Sequence, residues 1–157
     1  IISPYSFNEC TNLNKIEISP NSNLQTIGSN SFYYTNINEI FNPPKVSIIS
    51  ECAFSRWNNL SKVEILPNSN LQTIESNSFY YTKINEIFNP SKVSIISERT
   101  FSSCLNLNKF EIPQNSNLQT IKKMHFMIQK SKKFIFHRVW ENWKKDGVVI
   151  QNIWPKL

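Results

Sequence analysis

Glycine is scarce in this sequence, with only 2 residues in 157. This scarcity disfavours folds that cradle phosphate groups in glycine-rich loops. Turns must therefore use other residues, and asparagine and serine are abundant, since together they make up more than a quarter of the chain. Their short polar side chains favour turns because they hydrogen-bond to nearby backbone. We expect the turns of this protein to depend on Asn and Ser.

Long apolar runs are also missing. No stretch approaches the ~18 residues that a membrane-spanning helix requires, and residues 1–4 lack both the basic start and the apolar core of a signal peptide. The first residue is not methionine, so we expect the chain to be a fragment of a longer protein. Its hydrophobic content of 39% is sufficient for one folded domain.

Motifs for catalysis or metal binding are absent as well. The sequence has no phosphate-binding loop, nucleophile elbow, H-E-x-x-H motif or C-x-x-C pair, and residues 1–121 contain no histidine. We therefore expect no enzymatic activity, no cofactor and no metal. The three cysteines, Cys10, Cys52 and Cys104, are expected to be buried or half-buried free thiols.

The charge is divided unevenly along the chain. Residues 1–121 hold 8 basic and 9 acidic residues, whereas residues 122–157 hold 9 basic and 2 acidic residues. Asparagine becomes rare at the same point, since all but two of the asparagines lie before position 122. We therefore divide the chain into a region at 1–121 and a basic C-terminal segment at 122–157.

The first region is repetitive. The segment NSNLQTI occurs three times at a period of 47 residues. Each unit splits into two related halves, since Phe32 matches Phe54 and Ile27 matches Ile49. The half-repeat of 23 or 24 residues falls within the roughly 20–29 residues of leucine-rich repeats.

Each half also contains a short apolar pattern that ends in alternation, as in the sequence LSKVEI at 60–65. Alternation predicts a strand with one buried face, and such strands bury a continuous core only when successive copies stack in a parallel sheet. Segments such as SNSFYYT are predicted to form turns and irregular structure. We predict strands at about 13–18, 37–42, 60–65, 84–89 and 107–112, with a degenerate sixth at 131–136.

The pattern A-F-x-x-C-x-x-L-x-x-I-x-I-P, met at 53–67 and in part at 100–107, resembles the BspA-like leucine-rich repeat. The resemblance covers residues 1 to about 121. It implies a right-handed α/β-type repeat solenoid, with short parallel strands on the concave face and a mostly irregular convex side. It also implies a cell-surface or secreted microbial protein that adheres to host matrix proteins or to other cells. The cysteine column of the motif is interpreted as a packing position and reads Cys10, Thr35, Trp57, Thr82 and Cys104.

Two columns of residues are expected to point outward from the stacked strands, and we predict that both bind a partner. The first alternates in charge, so each side chain lies between two of opposite sign; it reads Lys15, Glu39, Lys62, Glu86 and Lys109. The second reads Glu17, Phe41, Glu64, Phe88 and Glu111.

Each column also has a simpler interpretation. In the simpler interpretation of the first column, the charges only keep the strands in register and the protein soluble, because each exposed ion pair contributes roughly 0–1 kcal/mol to stability. In the simpler interpretation of the second column, the strands that carry the two phenylalanines end early, since Asn42 and Asn89 stand where an inward aliphatic residue is expected. In that case Phe41 and Phe88 would turn into the core.

The basic segment has several interpretations. Phe136, Val139, Trp140 and Trp143 have the spacing of one helix face, which suits a helix that caps the open end of a solenoid. A degenerate repeat, a membrane-surface helix and a nucleic-acid contact are the alternatives.

These patterns predict a non-enzymatic adhesion module. Its expected partner is a host or extracellular matrix protein or another cell-surface protein. Nucleic-acid binding is not expected, and neither is membrane contact by this fragment itself; an intracellular leucine-rich repeat scaffold for protein–protein interaction is the alternative function.

Overall fold

A computed structural model describes residues 1–41, 44–65, 68–88, 92–112, 115–122, 133–136 and 149–150. These residues form a stack of rungs that contains two parallel sheets and, in the described part of the chain, no helix. The predicted leucine-rich-repeat solenoid is therefore confirmed. A rung is one half-repeat of the chain. Each complete rung passes through a very short strand, a turn segment and a second, longer strand; the first turn segment between two strands is 28–38.

The longer strands form one five-stranded parallel sheet, which we call the long-strand sheet. Glu39 pairs with Lys62, one half-repeat further along the chain, and Lys62 pairs with Glu86, one half-repeat further again. The first interval is shorter than the second by a single position, which matches the two half-repeats of the sequence. The strands are β2 (Glu39–Phe41), β4 (Lys62–Glu64), β6 (Glu86–Phe88), β8 (Lys109–Ile112) and β10 (Lys133–Phe136).

The second sheet has six strands of two residues each and was not predicted from the sequence. We call it the short-strand sheet. In its first five strands the second residue is a buried isoleucine, so the sheet closes another side of the core. Its strands are β1 (Thr26–Ile27), β3 (Ile48–Ile49), β5 (Thr73–Ile74), β7 (Ile95–Ile96), β9 (Thr120–Ile121) and β11 (Val149–Ile150).

The core is one continuous cluster of inward-facing columns. The predicted inward positions Leu60 and Val63 are 0% and 3% exposed. Phenylalanines of successive turn segments stack with ring centroids 5.0 to 5.8 Å apart. This phenylalanine stack consists of Phe7, Phe32, Phe54, Phe79 and Phe101.

The turn segments are joined to one another by backbone hydrogen bonds. The N–H groups of Asn30, Phe32 and Tyr34 donate to carbonyl groups of the next rung at 2.9 to 3.0 Å. Asn30 and Tyr34 have φ angles of 53° and 54°, in the left-handed region. The equivalent positions of four other rungs repeat this conformation. Two left-handed residues per rung thus orient backbone N–H groups toward carbonyl groups of the next rung.

The expectation that Asn and Ser fill the turns is only partly confirmed. Asparagine occupies two of the ten left-handed positions, and serine occupies one. The others are tyrosine, arginine, glutamate and cysteine, and none of the ten is β-branched. A left-handed residue with a side chain costs roughly 1–2 kcal/mol, and the hydrogen bonds between rungs offset that cost.

The first predicted strand, at 13–18, does not form. Leu13 and Ile16 are half-buried and pack against the core, but the segment contributes no strand to the sheet. Asn36 of the next rung fixes its start, because the Asn36 N–H donates to the Leu13 carbonyl at 3.2 Å. The apolar pattern was therefore correct for burial and wrong for strand pairing.

The C-terminal segment contributes backbone to both sheets. β10 pairs in parallel with β8, which agrees with the degenerate sixth strand predicted at 131–136, and β11 pairs with β9. Phe136 lies in β10, so the predicted helix does not begin there. The other three residues of that helix face, Val139, Trp140 and Trp143, lie outside the described residues.

Candidate binding surfaces

The long-strand sheet carries eight of the ten residues predicted to bind a partner, and its register arranges them in the expected columns. The backbones of Glu39, Lys62, Glu86 and Lys109 are successive pairing partners, so the sign of the residue alternates from rung to rung. In the neighbouring column Phe41 pairs with Glu64 and Phe88 pairs with Glu111.

Side chains are described for only three of the ten residues. Lys15 and Glu17 are exposed, and Glu86 is half-buried. For Glu39, Phe41, Lys62, Glu64, Phe88, Lys109 and Glu111 the structure describes the backbone alone. The outward orientation of the two phenylalanines therefore stays a prediction, as does the alternative that they turn inward.

Lys15 and Glu17 show how charge is arranged at the first rung. The Lys15 ammonium forms an ion pair with the Glu17 carboxylate two residues away in the same rung. The hydrogen bond and the positive charge of Lys15 lower the pKa of Glu17, whereas desolvation opposes this shift. An ion pair within one rung was not foreseen, because the prediction considered only neighbours in adjacent rungs.

The two strands that carry the phenylalanines are short. β2 ends at Phe41 and β6 ends at Phe88, whereas β8 continues one residue further, to Ile112. Asn42 and Asn89, which motivated the alternative that these strands end early, lie outside the described residues. Both phenylalanines are the last residues of their strands, as Glu64 is of β4.

The cysteine column forms hydrogen bonds in addition to its packing contacts. Thr35 and Trp57 both donate a hydrogen bond to the Phe32 carbonyl. One double repeat later, the hydroxyl of Thr82 and the thiol of Cys104 both donate to the Phe79 carbonyl, at 3.2 and 3.1 Å. The column therefore satisfies a buried carbonyl in every second rung.

A second candidate surface lies on the turn segments, where sequence reasoning placed no site. A cavity of about 460 Å³ opens there, and its lining includes Tyr33, Arg56, Tyr80 and Arg99. The Arg56 guanidinium lies over the Tyr33 ring, 5.9 Å from its centroid. The sequence signal for this site was the difference between the half-repeats in this segment, which reads SFYYT, AFSRW and TFSSC.

The described residues offer neither a metal cluster nor a membrane-spanning helix. They contain no group of three His, Cys, Asp or Glu side chains arranged to hold a metal ion. No helix in this part of the chain is long and apolar enough to cross a membrane.

The three cysteines are free thiols in three different environments. Cys10 is exposed, Cys52 is half-buried and Cys104 is buried. The expectation of burial is wrong for Cys10, which is exposed.

Comparisons with known proteins agree with this architecture. The family described as BspA type leucine rich repeat region matches residues 1–92 and 25–145, in six copies. A leucine-rich repeat protein from Bacteroides ovatus superposes with a TM-score of 0.61 at 21% identity, covering 80% of this chain and 38% of that one. A leucine rich cell surface protein from Faecalibacterium prausnitzii gives a TM-score of 0.44 at 17% identity, covering 78% and 48%. The chain thus spans less than half the length of either protein. No curated protein sequence matches it significantly.

Proposed function

The chain belongs to the BspA-type leucine-rich repeat family, and from this premise we propose that it is a non-enzymatic protein-binding module that uses the long-strand sheet. The observation that carries the proposal is the parallel register of that sheet. It aligns a column of alternating Lys and Glu beside a column in which Phe alternates with Glu. Stacked repeats of this kind typically present an extended surface to a partner.

The two columns have different roles in this proposal. Charged residues that alternate in sign orient a partner more than they add affinity. Phe41 and Phe88 supply the apolar anchors, since buried aromatic residues dominate most protein interfaces. They lie two rungs apart, roughly 10 Å at the usual ~4.8 Å spacing of strands, so one partner can contact both.

The partner we propose is a host or extracellular matrix protein, or another cell-surface protein. The proposed location is the surface of a microbial cell or the secreted fraction. Both rest on what the family resemblance implies.

The double substitution Phe41→Ser and Phe88→Ser tests the proposal. If both rings are exposed anchors, the melting temperature should stay nearly unchanged, because no core contact is lost. Binding to immobilised matrix protein or to host cells should fall about 30-fold, which corresponds to the loss of ~2 kcal/mol expected at an interface hot spot.

A matched control is the pair Tyr34→Ser and Tyr81→Ser. These exposed tyrosines have the same two-rung spacing but lie on the turn segments. Serine is tolerated there, since Ser103 occupies the equivalent position with a similar φ of 60°. The control variant should bind the matrix protein or the host cells as tightly as the parent. A large loss of stability in the phenylalanine variant would show that its rings belong to the core, and full adhesion by a folded variant would exclude this surface.

A further inference from the structure

The cavity on the turn segments arises from a difference between the two half-repeats. One column of these segments reads Tyr33, Ser55, Tyr80 and Ser102 along the stack. The tyrosines are half-buried, and the serines between them are buried. Because a small side chain alternates with a large one, each serine leaves a gap beside a tyrosine. The resulting cavity of about 460 Å³ is within the range of roughly 300–1,000 Å³ typical of small-molecule sites.

The positive charge at this cavity comes from two arginines, and the Glu51 carboxylate near Cys52 is the negative charge that they must outweigh. Arg56 is held over Tyr33, and no carboxylate of the described residues lies within ion-pair distance of its guanidinium. The Nε of Arg99 lies 3.7 Å from a carboxylate oxygen of Glu98, a long contact that occupies only one of its nitrogens. Arginine presents several N–H donors in a planar fork, which suits carboxylate and sulfate oxygens.

The remaining lining is small and, apart from the Cys52 thiol, polar. Asn77 supplies an amide and Ser103 a hydroxyl group, whereas the hydroxyl of the buried Ser55 already donates to the Tyr80 carbonyl at 3.3 Å. Amides and hydroxyls both donate and accept hydrogen bonds, as the hydroxyl groups of a sugar do. The lining contains no aliphatic side chain, so a purely apolar ligand would find few partners, whereas tyrosine rings can pack against the C–H face of a sugar ring.

We propose that this cavity binds an acidic saccharide, a sugar ring that carries a carboxylate or a sulfate. The anionic group is bound by Arg56, assisted by Arg99. The ring packs against Tyr33 or Tyr80, and its hydroxyl groups bond to Asn77 and Ser103. The site is separate from the long-strand sheet, so it adds a second ligand class to a protein-binding module.

A titration of the full chain tests this proposal. The probes are a disaccharide with one glucuronate, a disaccharide with one sulfate and a neutral disaccharide, followed by backbone amide chemical shifts up to millimolar concentration. We expect saturable shifts at Ser55 and Asn77 with at least one acidic probe and none with the neutral one. The two acidic probes show whether carboxylate or sulfate is preferred.

The variants Arg56→Ser and Arg99→Asn locate the binding. Both replacements occur naturally in the repeat, since Ser103 and Asn77 hold the equivalent positions with φ of 60° and 56°, so the fold should be retained. Arg56→Ser should weaken binding about tenfold or more, as expected when a charge-assisted hydrogen bond is lost. Arg99→Asn should weaken it less, because Glu98 already engages Arg99.

One control separates this site from unspecific attraction to the basic segment at 122–157. Lys83→Ser removes the same charge from an exposed position outside the cavity. It should bind the acidic disaccharides like the parent. The proposal is overturned if no acidic disaccharide binds, if Arg56→Ser binds like the parent, or if a glutamate-rich peptide binds the cavity more tightly than the saccharides.

Discussion

The three cysteines of this chain lie in different environments, from exposed to buried. Cys52 lines the cavity and is half-buried. Desolvation raises the pKa of its thiol, and the nearby Glu51 carboxylate raises it further. Since the thiolate is the nucleophile, a raised pKa reduces the reactive fraction at any pH below it. Cys52 is therefore not an activated thiol, despite its place beside a cavity.

We predict a fixed order of alkylation by iodoacetamide at pH 8. The exposed Cys10 should react first and Cys52 more slowly, whereas the buried Cys104 should react only after unfolding. Mass spectrometry of digested samples gives the three rates.

The variant Glu51→Gln provides the control for charge, because removing the carboxylate should lower the pKa of Cys52 and accelerate its labelling. If Cys52 reacts as fast as Cys10 in the parent, burial does not suppress its thiolate, and this assignment is wrong.

Sequence reasoning was strongest for single residues in the sheet and weakest in the turns. Leu60 and Val63 could be assigned to the core, because period-2 alternation and a fixed stacking register leave one orientation for each. Tyr34 and Arg56 could not be assigned to left-handed turns, since neither residue type favours that conformation. They adopt it because their backbone N–H groups bond to the next rung.

The phenylalanine stack is the dominant element outside the sheets. Phe79 is fully buried between Phe54 and Phe101, at centroid distances of 5.4 and 5.5 Å and near-parallel orientation. Neighbouring rings are contributed by different rungs, so each contact links residues that are distant in sequence. The stack therefore couples the turn segments along the solenoid.

Phe79→Ala should lower the free energy of unfolding by roughly 3–5 kcal/mol, the usual cost of removing a buried aromatic ring. The reason is the cavity left between two flanking rings. Thermal or urea unfolding measures the change. Leu105→Ala, at a residue that is 49% exposed, should cost less than about 1 kcal/mol. Equal losses in the two variants would contradict the stack as a major source of stability.

Elements of different length were not equally predictable. The strands of the long-strand sheet carry three or four residues with visible alternation, so their positions were predicted closely. Two-residue strands such as Ile48–Ile49 show no alternation, and the second sheet was therefore missed. The cavity was missed for another reason, because it depends on side-chain size in two half-repeats and leaves no mark in the apolar pattern.

At the scale of the whole molecule, the alternation of charge ends where the composition changes. Lys109 pairs with Glu86 on one side and with Lys133 on the other, so the backbone register aligns two lysines at the last pair of long strands. Residues 1–121 are nearly neutral, whereas the following segment carries most of the positive charge. The sheets nevertheless continue across this boundary, through β10 and β11.

This continuity predicts the effect of removing the C-terminal segment. Truncation after Ile121 deletes β10 and β11, which leaves β8 and β9 as edge strands that are paired on one side only. Phe110 and Ile121, now 1% and 0% exposed, would lose the strands that pair with theirs. Exposed edge strands with apolar surface promote association between chains. We therefore expect a lower melting temperature, or soluble aggregates in size-exclusion chromatography.

Truncation after Ile150 is the matched control, because it retains both C-terminal strands and should melt like the parent. The comparison isolates the contribution of β10 and β11 from the general effect of shortening the chain. It also separates sheet pairing from charge, since the control retains all but one of the basic residues in the segment. If the chain that ends at Ile121 remains monomeric and melts at the parent's temperature, the last two strands do not stabilise the array. The solenoid would then end at the composition boundary.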